Sequence, residues 1–386
     1  GRVGEQIAID TKVKGRDVIL GPCVNIARVP MGGRNFESFG EDPYLASRFA
    51  VSYIKGVQRK GVVATVKHYA VNNHEHERMY VDVQVDERTF NEIYFPAFRA
   101  SVKEADVLAF MSAYNKVNGF YASENGDLLL KKLKAEWGFG GLVMSDWGAV
   151  HSSIPTALNG LDLEMPNGRY LNIDSLMPAI NSGVITQEIL NDKVRRILTV
   201  MFKVGLFDNP QPTKEKMDRP EVKEVAYKTA AESIVLLKNT NNLLPLQTKN
   251  IKSIAVVGPN AVFTKTGGGG SSKVYPRYEA GPIDAIKKIV GKKVKVTYAP
   301  GVVLQGDLKP IDAANWFLDA QGTKAGVMAT YYVGRDFNTK FKEVVEPTVY
   351  SDWSNNGPLP GMPNDGYSVE WNGYLKAPHT GTFAFE

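Results

Sequence analysis

Short apolar runs alternate with amphipathic stretches between Asp17 and Glu164, the pattern of parallel strands joined by helices. The expected strands are residues 18–20, 62–66, 107–111, 142–144 and 161–163, and a helix-like stretch at 2–14 precedes them. Polar or aromatic residues follow each run, where a hairpin would place a tight turn. Strands whose carboxyl ends open onto such loops suit a (β/α)8 barrel, in which the loops after the strands build the functional site. Closure takes eight strands and only five or six are visible, so the reading is an incomplete TIM-type barrel whose first strands lie upstream of Gly1.

The pattern then changes twice. Residues 194–207 read as a closing helix ending at Gly205, with Asp208-Asn209-Pro210-Gln211-Pro212 as a linker. A helix at 221–237, a strand at 254–257, a helix at 282–290 and a strand at 294–298 open a second domain, an α/β sandwich. From about Pro310 the texture turns to Tyr, Trp, Thr and Gly, with turn signals at Asn356-Gly357-Pro358, Asn364-Asp365-Gly366 and Asn372-Gly373, which reads as an all-β module interrupting that domain. The expected division is a barrel domain at 1–207, a linker at 208–220, the first part of the sandwich at 221–309 and the β module at 310–386. Residues 382–386 alternate like a strand, so the natural protein is expected to continue.

With 386 residues, 43% apolar and 23% charged, the chain has ordinary globular usage and length for two or three domains. No apolar run has the length of a membrane span, and the net charge of +5 is spread without basic blocks. Neither membrane nor nucleic acid is therefore an expected partner; a small neutral substrate is. The single cysteine, Cys23, excludes an internal disulfide and a cysteine-rich metal site. The residues after Gly1 carry neither the charged nor the apolar region of a signal peptide, although a leader can lie upstream. The compartment is left undetermined, with periplasm or exterior favoured over cytoplasm, and a homo-oligomer is left open.

The candidate chemistry sits after the apolar runs. In Ser145-Asp146-Trp147 a carboxylate stands at a strand's end beside an indole plane, which suits a nucleophile that adds to an anomeric carbon. The plain alternative is that Asp146 caps the following helix. Lys67-His68 follows another run, and Arg78 comes along the same polar loop, giving hydrogen-bond donors for a polyol; each also reads as an ordinary salt-bridge partner. Tyr114, after the run ending in Met111, reads either as a hydrogen-bonding phenol or as a packed ring. His74-Glu75-His76-Glu77 lacks companions to complete a metal site, so no metal and no cofactor is expected. The loop at 267–273 resembles a phosphate loop only in its glycines, because Ser272 stands immediately before Lys273.

Gly21-Pro22-Cys23-Val24-Asn25-Ile26, Gly33-Arg34-Asn35-Phe36-Glu37-Ser38-Phe39-Gly40-Glu41-Asp42-Pro43, Lys67-His68-Tyr69, Met111-Ser112-Ala113-Tyr114-Asn115, Ser145-Asp146-Trp147 and Gly160-Leu161-Asp162-Leu163-Glu164-Met165-Pro166, in this order, resemble glycoside hydrolase family 3. The likeness continues through residues 232–239, Leu243-Leu244-Pro245-Leu246 and the glycine-rich loop. Residues 367–374 and 377–381 resemble the protective-antigen-like β-sandwich inserted in some of the family's β-glucosidases. The resemblance implies a retaining β-glycosidase with Asp146 as nucleophile, Arg34, Lys67, His68, Arg78 and Tyr114 holding the glycone, and Met111 and Trp147 lining its apolar faces. It also implies a glycone-binding Asp upstream of Gly1. Val71-Asn72-Asn73-His74 stands where one branch of the family carries a His-Asp acid/base, which implies instead a glutamate acid/base beyond Glu386. The expected activity is that of a β-glucosidase on oligosaccharides and on aryl or alkyl β-glycosides. The alternatives are a β-xylosidase and a disabled, carbohydrate-binding protein with Trp353 and Trp371 exposed in its β module.

Overall fold

The structure is a computed structural model, and it describes residues 1–208, 213–262, 264–276, 279–302, 310–351, 353, 357–377 and 380. The chain divides into two compact units, 1–245 with 266–277, and 246–265 with 278–386.

The first unit is organised by four parallel strands, β1 (Val18–Ile19), β2 (Val63–Tyr69), β3 (Ala109–Ser112) and β4 (Leu142–Ser145), adjacent in that order. All four residues of β3 and of β4 are buried, since helices cover one face and an apolar cluster the other. That is why these strands read as unbroken apolar runs without alternation. Phe110 and Val143 pack with Ile54, Phe98, Leu129 and Leu133, whereas Ala109, Met111 and Met144 join Val200 and Val204 on the opposite side. Fully burying side chains of this size contributes about 1.5–3 kcal/mol each.

The helices around the sheet are α1 (Arg2–Val13), α2 (Pro43–Gln58), α3 (Pro96–Lys103), a π-helix at Asp127–Glu136, α4 (Gln187–Lys203) and α5 (Pro220–Ser233). The Asp42 side chain accepts from the Leu45 N–H at 2.7 Å, and Pro43 occupies the first turn, so the start of α2 is set by its own sequence. Glycine permits α1 to lie directly on α2: a Cβ on Gly4 would stand 2.4 Å from the Tyr53 carbonyl oxygen.

Three expectations shift. The run at 161–163 forms a single parallel bridge, Leu163 to Met144, in place of a strand. The helix expected at 194–207 begins earlier, at Gln187, where Thr186 caps the Ile189 N–H. The helix expected at 221–237 stops at Ser233, where Ile234 turns to an extended backbone with φ −82° and ψ 117°.

In the second unit β5 (Ser253–Val257) and β6 (Lys295–Ala299) pair in parallel, linked through α6 (Pro282–Val290). Farther along, β7 (Val327–Val333) lies between β8 (Thr339–Glu346) and β9 (Tyr367–Asn372), antiparallel to both. Trp353 and Trp371 stack at 6.2 Å and pack with Tyr331 and Met362, and the Trp371 indole donates to Glu346 at 2.8 Å. Both indoles are half-buried parts of the module's core, not the exposed platforms expected of them. Residues 382–386, expected as a strand, lie outside the described residues, as does Asn356. Among the described residues no helix is long and apolar enough to cross a membrane.

Candidate active site

The parallel register lines up the ends of three strands. Tyr69 of β2 pairs with Ser112 of β3, and Ser112 with Ser145 of β4. Residues next to that row therefore project from one end of the sheet: Lys67 and His68 from β2, Tyr114 just past β3, and Asp146 just past β4. The Asp146 N–H donates to the Ser112 carbonyl at 3.2 Å, which continues the ladder one step beyond β4. The Asp146 carboxylate accepts from the Trp147 N–H at 2.7 Å and precedes a turn; the next helix starts only at Ile154. Asp146 is thus not a helix cap.

Around Asp146, which is 8% exposed, stand several polar groups. The His68 Nε2 lies 3.6 Å from an Asp146 carboxylate oxygen. The same nitrogen is 3.1 Å from the Arg34 Nη1. Glu37 grips Arg34 with both oxygens, accepting from Nε and Nη2 at 2.9 Å each, and sits 3.6 Å from the Lys67 Nζ. Burial acts to raise the Glu37 pKa, but the Arg34 hydrogen bonds and the two cationic charges outweigh it and hold the carboxyl below its usual range. Burial, reinforced by Arg34, Lys67 and Arg78, pushes the His68 imidazole well below its usual value.

Asn25 reaches the same histidine from another segment. A parallel bridge between Cys23 and Lys67 brings the two stretches together. The Asn25 Oδ1 accepts from the His68 backbone N–H at 2.9 Å and is 2.9 Å from the ring Nδ1, and the Asn25 Nδ2 donates to the His68 carbonyl at 2.9 Å. Beside this group is a cavity of about 20 Å³ lined by Cys23, Arg34, His68, Asn72 and Glu75 among others. The Asn72 amide, 7% exposed, has no partner among the described residues.

On the other flank Arg78 donates to Glu75 and lies over the Tyr114 ring, 4.3 Å from its centroid. The Tyr114 hydroxyl donates to the Trp147 carbonyl at 3.2 Å. Burial, then the nearby Asp146 charge, pushes the phenol well above its usual value. Trp147 is 40% exposed at the rim, whereas Met111, 2% exposed, lies in the apolar cluster with Met144 and Val200.

Arg34, His68 and Asp146 are therefore joined through direct contacts, Glu37 ties Lys67 to Arg34, Tyr114 and Arg78 form a pair, and Met111 lies in the apolar core. Glu37 and Asn25 lie in the family-like motifs without an assigned role, and Glu75 is weighed in the sequence only as a metal ligand. Glu37 stands three residues after Arg34, a spacing that signals an ion pair, and Glu75 precedes Arg78 by the same interval. Asn25 carries no local signal. Among the described residues no group of three or more His, Cys, Asp or Glu side chains could hold a metal ion.

Comparison with known proteins places the chain in a family. The chain matches the model of the glycosyl hydrolase family 3 N terminal domain over residues 1–200, that of the family's C-terminal domain over 234–353, and that of the PA14 domain over 323–386. It is 43% identical over 301 residues to a beta-glucosidase of Rhizobium radiobacter, covering 78% of this chain and 37% of that protein. Over 308 residues it is 44% identical to thermostable beta-glucosidase B of Acetivibrio thermocellus, covering 79% of this chain and 40% of that one. The crystal structure of beta-glucosidase from Kluyveromyces marxianus in complex with glucose superposes with a TM-score of 0.74 at 34% identity, over 90% of this chain and 43% of that one. The chain spans about two fifths of the length of the curated relatives it matches. With its first 200 residues matching that N-terminal domain and its strand-end carboxylate set among basic and aromatic groups, the chain belongs to glycoside hydrolase family 3.

Proposed function

We propose that this chain acts in a retaining β-glucosidase that releases glucose from the non-reducing ends of β-glucosides and cello-oligosaccharides. The observation that carries the reading is the setting of Asp146: a nearly buried carboxylate at the end of β4, 3.6 Å from His68, whose ring also meets Arg34, with Tyr114 close enough to feel its charge. Asp146 attacks the anomeric carbon, forming a bond from its carboxylate oxygen as the bond to the leaving oxygen breaks. A carboxylic acid, expected from the resemblance to be a glutamate of the second domain, protonates the leaving oxygen. The same group then takes a proton from water, which attacks the anomeric carbon and frees Asp146. Two inversions give net retention, and the two carboxyl groups stand about 5–5.5 Å apart in such enzymes.

Arg34, Lys67, His68, Arg78 and Tyr114 hold the glycone in this reading, with Trp147 against its apolar face. Met111 supports the floor from the core side. The four parallel strands belong to a (β/α)8-type barrel at 1–207; a linker at 208–220, an α/β sandwich at 221–309 and a protective-antigen-like β module at 310–386 follow. The order of the three family matches and the antiparallel pairing of β7, β8 and β9 support this succession of domains, whereas the compact units divide the chain at 245. Relatives named as β-glucosidases favour glucose over xylose as the glycone.

Replacing Asp146 by Gly in the active enzyme and adding azide tests the assignment. The expected result is loss of turnover on an aryl β-glucoside and rescue by azide to the α-glucosyl azide. Retained turnover, or rescue to the β-azide, removes Asp146 from the nucleophile's role.

A further inference from the structure

We propose that Asn25 is a positioning residue that fixes the His68 ring with its proton on Nδ1, so that Nε2 accepts a hydrogen bond from Arg34 and donates none. The consequence for a sugar substrate rests on the β-glucosidase reading; the ring's proton does not. The reasoning starts from two groups whose roles cannot change. A backbone N–H only donates and a backbone carbonyl only accepts. The Asn25 side chain meets both of them on the same residue, His68, each at 2.9 Å, so its oxygen and nitrogen are assigned without ambiguity.

That oxygen is also 2.9 Å from the His68 Nδ1, and only a protonated nitrogen can face it at that distance without lone-pair repulsion. On the far side of the ring the Arg34 Nη1 is 3.1 Å from Nε2. A guanidinium has donors and no acceptor, so Nε2 presents its lone pair. Two unrelated partners thus require the same tautomer. Burial and the cations Arg34, Lys67 and Arg78 around the ring also disfavour a second proton. The Cys23 Sγ is 3.7 Å from the Asn25 Oδ1 and 3.9 Å from Nδ1; the much closer amide oxygen, at 2.9 Å, decides the ring's proton, and the thiol gives its own proton to that oxygen.

The consequence for the site is specific. Asp146 stands 3.6 Å from Nε2, beyond hydrogen-bond reach of a nitrogen that carries no proton, so the imidazole does not relay a proton to the carboxylate. Arg34 gives its Nε–H and one Nη2–H to Glu37 and one Nη1–H to His68. Of its five N–H groups, one on Nη1 and one on Nη2 are left for substrate hydroxyls. Asn25 therefore acts at one remove: it orients His68, which with Glu37 aims the free edge of Arg34.

The test is nitrogen NMR of the protein with 15N-labelled histidine, the His68 resonances being assigned by their loss in His68→Gln. The expected spectrum at neutral pH shows Nε2 in the unprotonated, imine-like range and Nδ1 in the protonated range. In Asn25→Ala the Nδ1 proton loses its acceptor and Arg34 alone still selects the tautomer, so the Nδ1 resonance shifts and the Nε2-protonated form gains population. Asn25→Asp keeps the side-chain shape while placing a carboxylate against Nδ1, beside Arg34, Lys67, Arg78 and Asp146. There His68 takes up its second proton at higher pH than in the parent. A parent spectrum with the proton on Nε2, or an imidazolium at neutral pH, overturns the proposal, as does an unchanged His68 signal in both Asn25 variants. The readout needs no turnover, so the tautomer assignment stands or falls separately from the Asp146 test.

Discussion

Replacing Glu37 by Gln removes one negative charge from the centre of the basic group while keeping the side chain's size. The parent carboxylate accepts two hydrogen bonds from Arg34 at 2.9 Å and faces Lys67 at 3.6 Å. The three side chains are only 10%, 17% and 12% exposed, so solvent screening, which reduces surface pairs to about 0–1 kcal/mol, is largely absent. The amide retains one acceptor for Arg34 and turns its own N–H groups toward two cations. Loss of one charge-assisted hydrogen bond costs about 1.5–3 kcal/mol. If that loss falls wholly on transition-state binding, kcat/KM for an aryl β-glucoside drops roughly 10- to 150-fold. Thermal unfolding measured against pH supplies an independent readout. The Glu37 pKa is lowered by folding, so its stabilisation is fully present above the ordinary carboxylate value of 4.5 and is lost as pH falls through the folded value. The gap in melting temperature between parent and Glu37→Gln should accordingly be widest near neutrality and close in acid. A variant within a factor of two of the parent in kcat/KM, with a melting gap independent of pH, would refute the view that Glu37 holds Arg34 and Lys67 in place.

Lys134 and Asp162 form a buried pair at 2.7 Å, with side chains 7% and 0% exposed. Lys134→Met should cost about 3–5 kcal/mol in denaturant unfolding by stranding the carboxylate, and adding Asp162→Asn, which keeps an acceptor for the Val143 N–H, should recover part of it. His68 has a folded pKa well below its ordinary 6.5, so below that pH the unfolded chain takes up a proton the folded one refuses, and stability falls by up to about 1.4 kcal/mol per pH unit. His68→Gln should remove that component from the unfolding free energy measured across the acid range, and an identical pH slope in parent and variant contradicts the folded histidine's being neutral.

How far these features could be read from the chain depends on whether their cause is local. The strands β2, β3 and β4 were legible because burial on both faces leaves continuous apolar runs, and their parallel order followed from the helical stretches between them. The carboxyl end of β2 was not, since Lys67 and His68 continue the strand with polar side chains where an apolar-run criterion stops at Val66. The bridge at Leu163 was read as a strand because apolar content is indifferent to whether a neighbour supplies one ladder contact or several. The same distinction governs the site. The grip of Glu37 on Arg34 is a three-residue spacing and was available in principle, whereas Asn25 acts on a histidine 43 residues away, through a bridge that exists only once the segments fold together. Asp146 lies between these cases. Its own neighbours allow a cap or a nucleophile, and local sequence leaves the choice open. Only the fold removes the cap, by placing a turn after Trp147, and only the strand register brings His68 and Tyr114 to the same carboxylate. The setting of this candidate carboxylate is thus defined less by its motif than by which strand ends the sheet sets side by side, and that is long-range information carried by the packing of both faces of β3 and β4.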